Sequence, residues 1–346
     1  MMKKTYTVAQ AGLGIRGDIH LRGISKNADR LELVAICDIN QERMAEMAKA
    51  YDVSKTYADA ETMLAETRPD VFVFVTHPQV RVDMIKLAVK YKVKAIAFEK
   101  PMATSIQDAA EITRLCEENG IKTIVSHQHK YLPSFLKMKE TIDTGGIGDI
   151  VQLNISTQPW MSHLGTHFMD YAMWANNGNK AKWTVGHVHG AKLLTDSHPS
   201  AEYIMGQVAF ENGVRLFMEN GYMSKSTVAT DIFWVDNRLT VYGTKGHVWA
   251  ETDGAWGGHA NGHVIGGQCD TYYVAEPDLQ IGYFRDFINW LDDDSAVHSC
   301  DVSTAYHGFE ILEAMCLSAL DNKPVHFPVD VAEMPDIIER MKAELT

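Results

Sequence analysis

The sequence predicts an α/β chain. An N-terminal Rossmann domain with a doubly wound parallel sheet leads, and an α+β domain with an open, mainly antiparallel sheet follows. Three observations carry this prediction. Short apolar runs alternate with amphipathic helical segments as far as residue 126. A glycine-rich turn joins the first strand to the first helix. Beyond 126 the apolar pattern changes to period two, punctuated by hairpin signals. The expected domains are therefore 1–126, binding a dinucleotide, and 127–346, binding substrate and building oligomers.

In order, strands are expected at 6–11, 31–37, 71–75, 93–98 and 121–126, with 71–75 short, densely apolar and buried. Helices are expected between them. Residues 18–24 open the series; 41–51 carries Met44, Met47 and Ala48 at helical spacing; 60–66, 82–91 and 106–119 follow, the last ended by Gly120. Strand and helix in turn over short loops give right-handed βαβ units. Past the change of pattern, a helix at 134–144 stops at Gly145 and Gly146, and 151–155 alternates strictly. Residues 201–210 and 214–220 flank one hairpin turn, and 238–242 and 247–251 flank another. Helices at 283–291 and 305–321 are expected to cover one side of this sheet near the domain junction. The glycine-rich stretch 257–267, holding His259 and His263, is expected to be a mobile loop.

Bulk composition excludes several function classes. The chain has 346 residues, 45 acidic against 32 basic, and a formal net charge of −13, with no basic stripe to meet a nucleic-acid backbone. Its five cysteines, Cys37, Cys116, Cys269, Cys300 and Cys316, are scattered and never in C-x-x-C spacing, which argues against a disulfide framework or a structural zinc site. No apolar run is long enough to span a bilayer, and no secretory signal follows the first residues. A soluble, cytoplasmic protein without a membrane partner is expected.

Gly12, Leu13, Gly14, Ile15, Arg16 and Gly17 read G-x-G-x-x-G between a strand and a helix. The first glycine permits the tight turn, the second lets backbone approach a pyrophosphate, and the third allows close helix–strand packing. Asp38 ends the second strand, where a carboxylate bonds ribose hydroxyls and repels a 2′-phosphate, so NAD is expected over NADP. Arg16 and Arg43 are the two side chains within reach of a phosphate that leave NADP open. Glu99, Lys100 and Pro101 follow a strand at its carboxyl end, where parallel sheets place ligands. Lys100 is either a solvated surface lysine or, with a lowered pKa, a proton carrier for a substrate hydroxyl.

With these residues the chain resembles the Gfo/Idh/MocA oxidoreductases, which include glucose–fructose oxidoreductase and inositol dehydrogenase. The resemblance runs over nearly the whole chain. It rests on residues 11–17, Cys37 and Asp38, 99–101, 127–133, 145–148, 165–170 and 242–246. It implies a Rossmann domain, a C-terminal open-sheet domain that often builds oligomers (a dimer or tetramer here), and a cofactor between the two. It further implies that Lys100 is the catalytic lysine, Glu99 a cofactor-pocket acid, and His167 the catalytic histidine, with Asp170 beside it. Thr76 and His77 resemble the loop over the nicotinamide ribose, and Gln128 falls near the nicotinamide. His163 stands where the family carries an aspartate, which changes the general-base partner.

Read by spacing alone, His163, His167 and Asp170 share a helix face, and Asp170 could orient His167. Each histidine can equally be a satisfied interface residue. An H-x-x-x-H pair can also ligate zinc, given a third ligand from His187, His189 or 257–267; the expectation adopted is no metal. Trp160 and Met161 are expected to end the strand that leads to this segment, and Trp160 and Tyr131 are either core aromatics or a sugar-binding wall. His187 and His189 fit a solvated sheet face.

The leading expectation is an NAD-dependent dehydrogenase. Lys100 or His167 takes a hydroxyl proton while the carbon beneath gives hydride to nicotinamide, the two groups meeting over one face of the ring. The substrate class implied by the resemblance is a sugar, sugar derivative or cyclitol. The alternative is a redox-neutral, NAD-dependent oxidation–elimination that cleaves a glycoside, motivated by His163. A non-catalytic nucleotide sensor is the third class.

Overall fold

The computed structural model describes residues 4–226, 228 and 230–345. Its chain divides into two compact units. The first comprises residues 1–103, 108–128 and 277–303, and the second 104–107, 129–276 and 304–346. A single cut at 126 therefore misplaces residues 277–303, which return to the first unit.

Among its described residues the first unit holds six strands: β1 (Tyr6–Ala11), β2 (Leu31–Cys37), β3 (Thr56–Tyr57), β4 (Val71–Phe74), β5 (Ala95–Glu99) and β6 (Lys122–Ser126). Their order is β3-β2-β1-β4-β5-β6 and every pairing is parallel. That is the doubly wound order with its switch point between β1 and β4, where ligands bind beyond the strand ends. All residues of β4 and β5 are buried, as both faces of a covered parallel sheet require. Phe74 stacks on Phe98 at 5.1 Å, and burying each such ring contributes about 1.5–3 kcal/mol.

The covering helices of this unit are α1 (Ile15–Ser25), α2 (Gln41–Ala50), α3 (Ala60–Thr67), α4 (Arg81–Lys90) and most of α5 (Ile106–Glu118). Side chains set their starts: Asn40 accepts from the Arg43 amide, and Asp59 from the Thr62 amide at 2.7 Å. Leu13, Leu21, Ile36, Met47 and Val53 form the core under α1 and α2.

The second unit begins its helices with α6 (Pro133–Asp143) and α7 (Thr166–Ala175), the latter entered through a π-helical turn at Met161–Gly165. Its sheet contains β7 (Ile150–Thr157), β8 (Ala181–His189), β9 (Tyr203–Phe210), β10 (Arg215–Gly221), β11 (Asn237–Gly243), β12 (His247–Glu251), β13 (Ala255–Ala260), β14 (His263–Gln268) and β15 (Val325–His326). The order is β14-β13-β12-β11-β7-β10-β9-β8-β15, antiparallel except where β7 meets β10. Burial in β7 and β11 alternates, so one face is covered and the other open. After the short α8 (Tyr272–Ala275), α9 (Leu279–Asp292) packs in the first unit against α1. There Gly23 is required, because a Cβ would sit 2.6 Å from Gln280. The long α10 (Val302–Asp321) and the C-terminal α11 (Ile337–Glu344) complete the chain.

Two expectations are corrected. The stretch 257–267 is the β13–β14 hairpin, turning at Asn261 and Gly262, both with positive φ (53° and 79°). Trp160 and Met161 do not end a strand, because β7 stops at Thr157 and Met161 begins the π turn. Among the described residues no helix is long and apolar enough to cross a membrane.

Candidate active site

In the first unit, the glycine turn leaves β1 at the switch point and runs straight into α1. Gly12 has φ +85° and a Cβ there would lie 2.3 Å from the Val75 carbonyl oxygen, while a Cβ on Gly17 would lie 2.3 Å from the carbonyl of Gly12. Both glycines are forced by close backbone approach. Gly14 differs: a Cβ would meet nothing within 4 Å, so the space before the α1 N-terminus is open. Around that opening Ile15 is 83% and Ile39 92% exposed, two large apolar side chains left for a ligand to cover. Thr76 adds a buried hydroxyl oxygen with no hydrogen-bond partner among the described residues. An amide-lined opening at a helix N-terminus, an apolar rim and an orphaned hydroxyl fit a dinucleotide. The candidates to hold it are Gly12, Leu13, Gly14 and Ile15 of the turn, with Asp38 and Thr76.

Asp38 accepts from the Leu13 amide through Oδ2 and from the Asn40 amide through Oδ1, each at 2.7 Å. The carboxylate is thus fixed at the end of β2 beside the turn. Both arginines considered for a 2′-phosphate have carboxylate partners. Arg43 binds Asp18, Glu46 and the Leu13 carbonyl, and Arg16 binds Glu99. Arg16 thereby joins the glycine turn to the Glu99 network.

That network lies at the end of β5. Glu99 Oε1 receives Arg16 Nη2 at 3.1 Å and lies 3.0 Å from His20 Nε2. Burial alone would raise the Glu99 carboxyl; Arg16, then His20, hold it well below the usual carboxylate range. With its amide oxygen toward Arg16, Gln128 accepts from Nη2 at 2.9 Å and donates to the Ser126 carbonyl at 2.9 Å. Lys100 is half-buried, and burial pushes its ammonium down to about 8, with Glu99 opposing and Arg16 and Arg81 assisting. His77 is exposed on the loop after β4. Arg81, missed in the sequence, is buried under these loops and donates to the carbonyls of Thr76 (3.0 Å) and Lys100 (3.3 Å). His20 was missed as well; its only sequence signal is a histidine on the glycine-turn helix.

In the second unit, His167 is buried, stacks on His129 at 4.6 Å and 3°, and has Nδ1 2.6 Å from the Tyr171 hydroxyl. The expectation that Asp170 orients this ring is corrected at Nδ1, where a phenol stands. Asp170 instead pairs with Lys130 at 2.5 Å, the two side chains 0% and 2% exposed. His163 faces a different group: Trp160 edge-on at 4.5 Å, Trp234 at 5.2 Å and His198 at 5.2 Å. The π turn is the reason that two residues four apart part company. Trp160 keeps a buried indole N–H without a hydrogen-bond partner among the described residues. Tyr131 is half-buried, and His187 and His189 are exposed on β8.

Replacing Gly14 with alanine separates cofactor binding from folding. Its φ of −61° suits alanine and the methyl meets open space. Gly14→Ala is expected to melt like the parent without NAD but to lose the stabilisation, about 2.7 kcal/mol at 100 times Kd, that NAD gives the parent. Gly12→Ala is expected to lose stability even without NAD. Thermal melts with and without NAD check both.

Residues 6–127 match the Gfo/Idh/MocA family model, described as an oxidoreductase family with an NAD-binding Rossmann fold. The chain is 25% identical over 266 residues to the uncharacterized oxidoreductase YrbE of Bacillus subtilis, covering 72% of this chain and 75% of that protein. It is 22% identical over 256 residues to myo-inositol 2-dehydrogenase of Thermotoga maritima, covering 69% and 73%. Among solved structures, an oxidoreductase from Agrobacterium radiobacter in complex with NAD+, L-tartaric acid and magnesium superposes with a TM-score of 0.80 at 17% identity, over 96% of this chain and 100% of that one.

Proposed function

Because the chain belongs to the Gfo/Idh/MocA family of NAD-dependent oxidoreductases, we propose that it oxidises a hydroxyl-bearing carbon of a sugar, sugar derivative or cyclitol, and reduces the matching carbonyl. The observation that carries this reading is the half-buried position of Lys100 at the end of β5 in an NAD-binding unit, where burial pushes its ammonium down to about 8. NAD, when bound, supplies the hydride acceptor. Lys100 Nζ takes the hydroxyl proton, a task that a lysine titrating near working pH performs in both directions. Glu99 favours the charged form of Lys100 against its burial, and Arg81 fixes the lysine's backbone through its carbonyl. From the second unit, His167 binds the reacting hydroxyl through Nε2, its ring oriented by the Tyr171 hydroxyl on Nδ1. Trp160 and Tyr131 offer aromatic surface to the ring carbons of the substrate, and Lys130 with Asp170 anchors α7. The likeness to a myo-inositol dehydrogenase supports the cyclitol class.

The test is NADH formation across a panel of cyclitols, aldoses, sugar acids and aryl glycosides. At least one polyol or sugar is expected to give NADH, and His167→Ala to lower kcat/KM for it about 10²–10³-fold. No NADH from any compound would sink the reading, and aglycone release without net NADH would replace it with oxidation–elimination. We also place the protein in the cytoplasm as a homo-oligomer. The open sheet face, with Met205 and Phe217 about two-fifths exposed beside His187 and Tyr242, supports an oligomer. A monomer by ultracentrifugation at micromolar concentration would exclude it.

A further inference from the structure

We propose that His163, Asp196 and His198 bind one divalent transition-metal ion, Zn2+ being the best match to the donor set. His163 comes from the π turn, and Asp196 and His198 from the loop after the short helical turn Lys192–Thr195. One donor atom from each of the three lies within 4.8 Å of the other two. Donors held about 2.1 Å from a common ion stand roughly 3.4 Å apart in a tetrahedron and at most about 4.2 Å apart. Side-chain shifts below about 1 Å therefore close the set.

The chemistry selects the ion. Two imidazoles suit zinc, copper, iron or nickel, whereas magnesium and calcium take oxygen donors. Two histidines and one carboxylate leave a fourth position for water or substrate, the arrangement of reactive zinc sites rather than structural ones. The surroundings hold the donors in place. Ser162 Oγ donates to the Pro199 carbonyl at 2.5 Å, pinning the π turn to the loop. Asp196 Oδ1 accepts from the His198 amide at 2.8 Å and from Ser197 Oγ at 3.3 Å, and the same Oγ lies 3.0 Å from His198 Nδ1. A hydroxyl that donates to Asp196 accepts from Nδ1–H and so selects the tautomer whose Nε2 carries the lone pair a metal needs. Trp160 and Trp234 flank His163 with apolar surface.

This set departs from the H-x-x-x-H pair read from spacing. His167 is turned to His129 and Tyr171, and its place is taken by a loop about thirty residues downstream. It also departs from the expectation of no metal.

The experiment uses the full chain without a polyhistidine tag, dialysed against EDTA and titrated calorimetrically with ZnCl2. One ion per chain is expected with Kd below about 10 μM. Asp196→Ala and His198→Ala are each expected to weaken binding about 100-fold or more. Co2+ in place of Zn2+ is expected to give a visible ligand-field spectrum that both variants lose. Asp196 is exposed, so Asp196→Ala reports on ligation even if His198→Ala fails to fold. Absence of binding, or the same affinity in both variants as in the parent, overturns the proposal. The readout contains neither NAD nor sugar, so its failure and that of the hydride-transfer reading are distinguishable.

Discussion

Lys100→Ala is expected to lower kcat for alcohol oxidation about 10²–10⁴-fold while NAD still stabilises the protein. The side chain lies beyond β5, outside the glycine turn, so its loss removes a proton acceptor without touching the dinucleotide opening. The pH dependence carries the sharper signature. Oxidation needs the neutral amine, so kcat/KM is expected to rise with pH and level off above about 8, the value to which burial brings this lysine. Carbonyl reduction needs the ammonium and is expected to fall through the same range. Lys100→Arg keeps the charge at every working pH and is expected to show neither activity nor plateau. Glu99→Gln removes the charge that raises Lys100, and so is expected to move the midpoint to lower pH. Activity of Lys100→Ala within about tenfold of the parent would exclude this lysine as the proton carrier.

Breaking the Lys130–Asp170 pair is expected to have the largest effect on stability. Both groups are buried, so Lys130→Met leaves a carboxylate without its counter-charge inside the second unit, at a cost of about 3–5 kcal/mol. Lys130→Met combined with Asp170→Leu removes both charges and is expected to recover most of that loss. Denaturant titration of the two single variants and the double variant measures the difference. Asp170 lies one turn from His167 on α7, so the single variants are also expected to lower kcat. Equal destabilisation of the double and single variants would show that lost packing, not an isolated charge, is responsible.

What could be read before folding was the chemistry carried by short segments. The glycine turn, Asp38 and the Glu99–Lys100–Pro101 step each lie within a few residues of a strand end, where periodicity fixes their position. Pairings across long separations were illegible: His20 with Glu99, Lys130 with Asp170, and α9 with α1 join residues 79, 40 and hundreds apart. The β13–β14 hairpin was misread because its glycines suggested mobility. There a Cβ on Gly258 would lie 2.1 Å from the His247 carbonyl and one on Gly257 3.0 Å from the Trp249 ring, so close strand packing demands them. The Asn261–Gly262 turn was the available signal. The divergence of His163 from His167 had none, since a π turn inserts one residue without any compositional mark.

The central claim is direct hydride transfer assisted by Lys100. Its most direct test uses NADH deuterated at the transferable nicotinamide position, the keto form of whichever sugar or cyclitol gives NADH, and mass spectrometry of the product. One deuterium at the new carbinol carbon is predicted in the parent, with its rate of appearance collapsing in Lys100→Ala. Product formed without deuterium, or labelled equally fast by both proteins, would contradict the account.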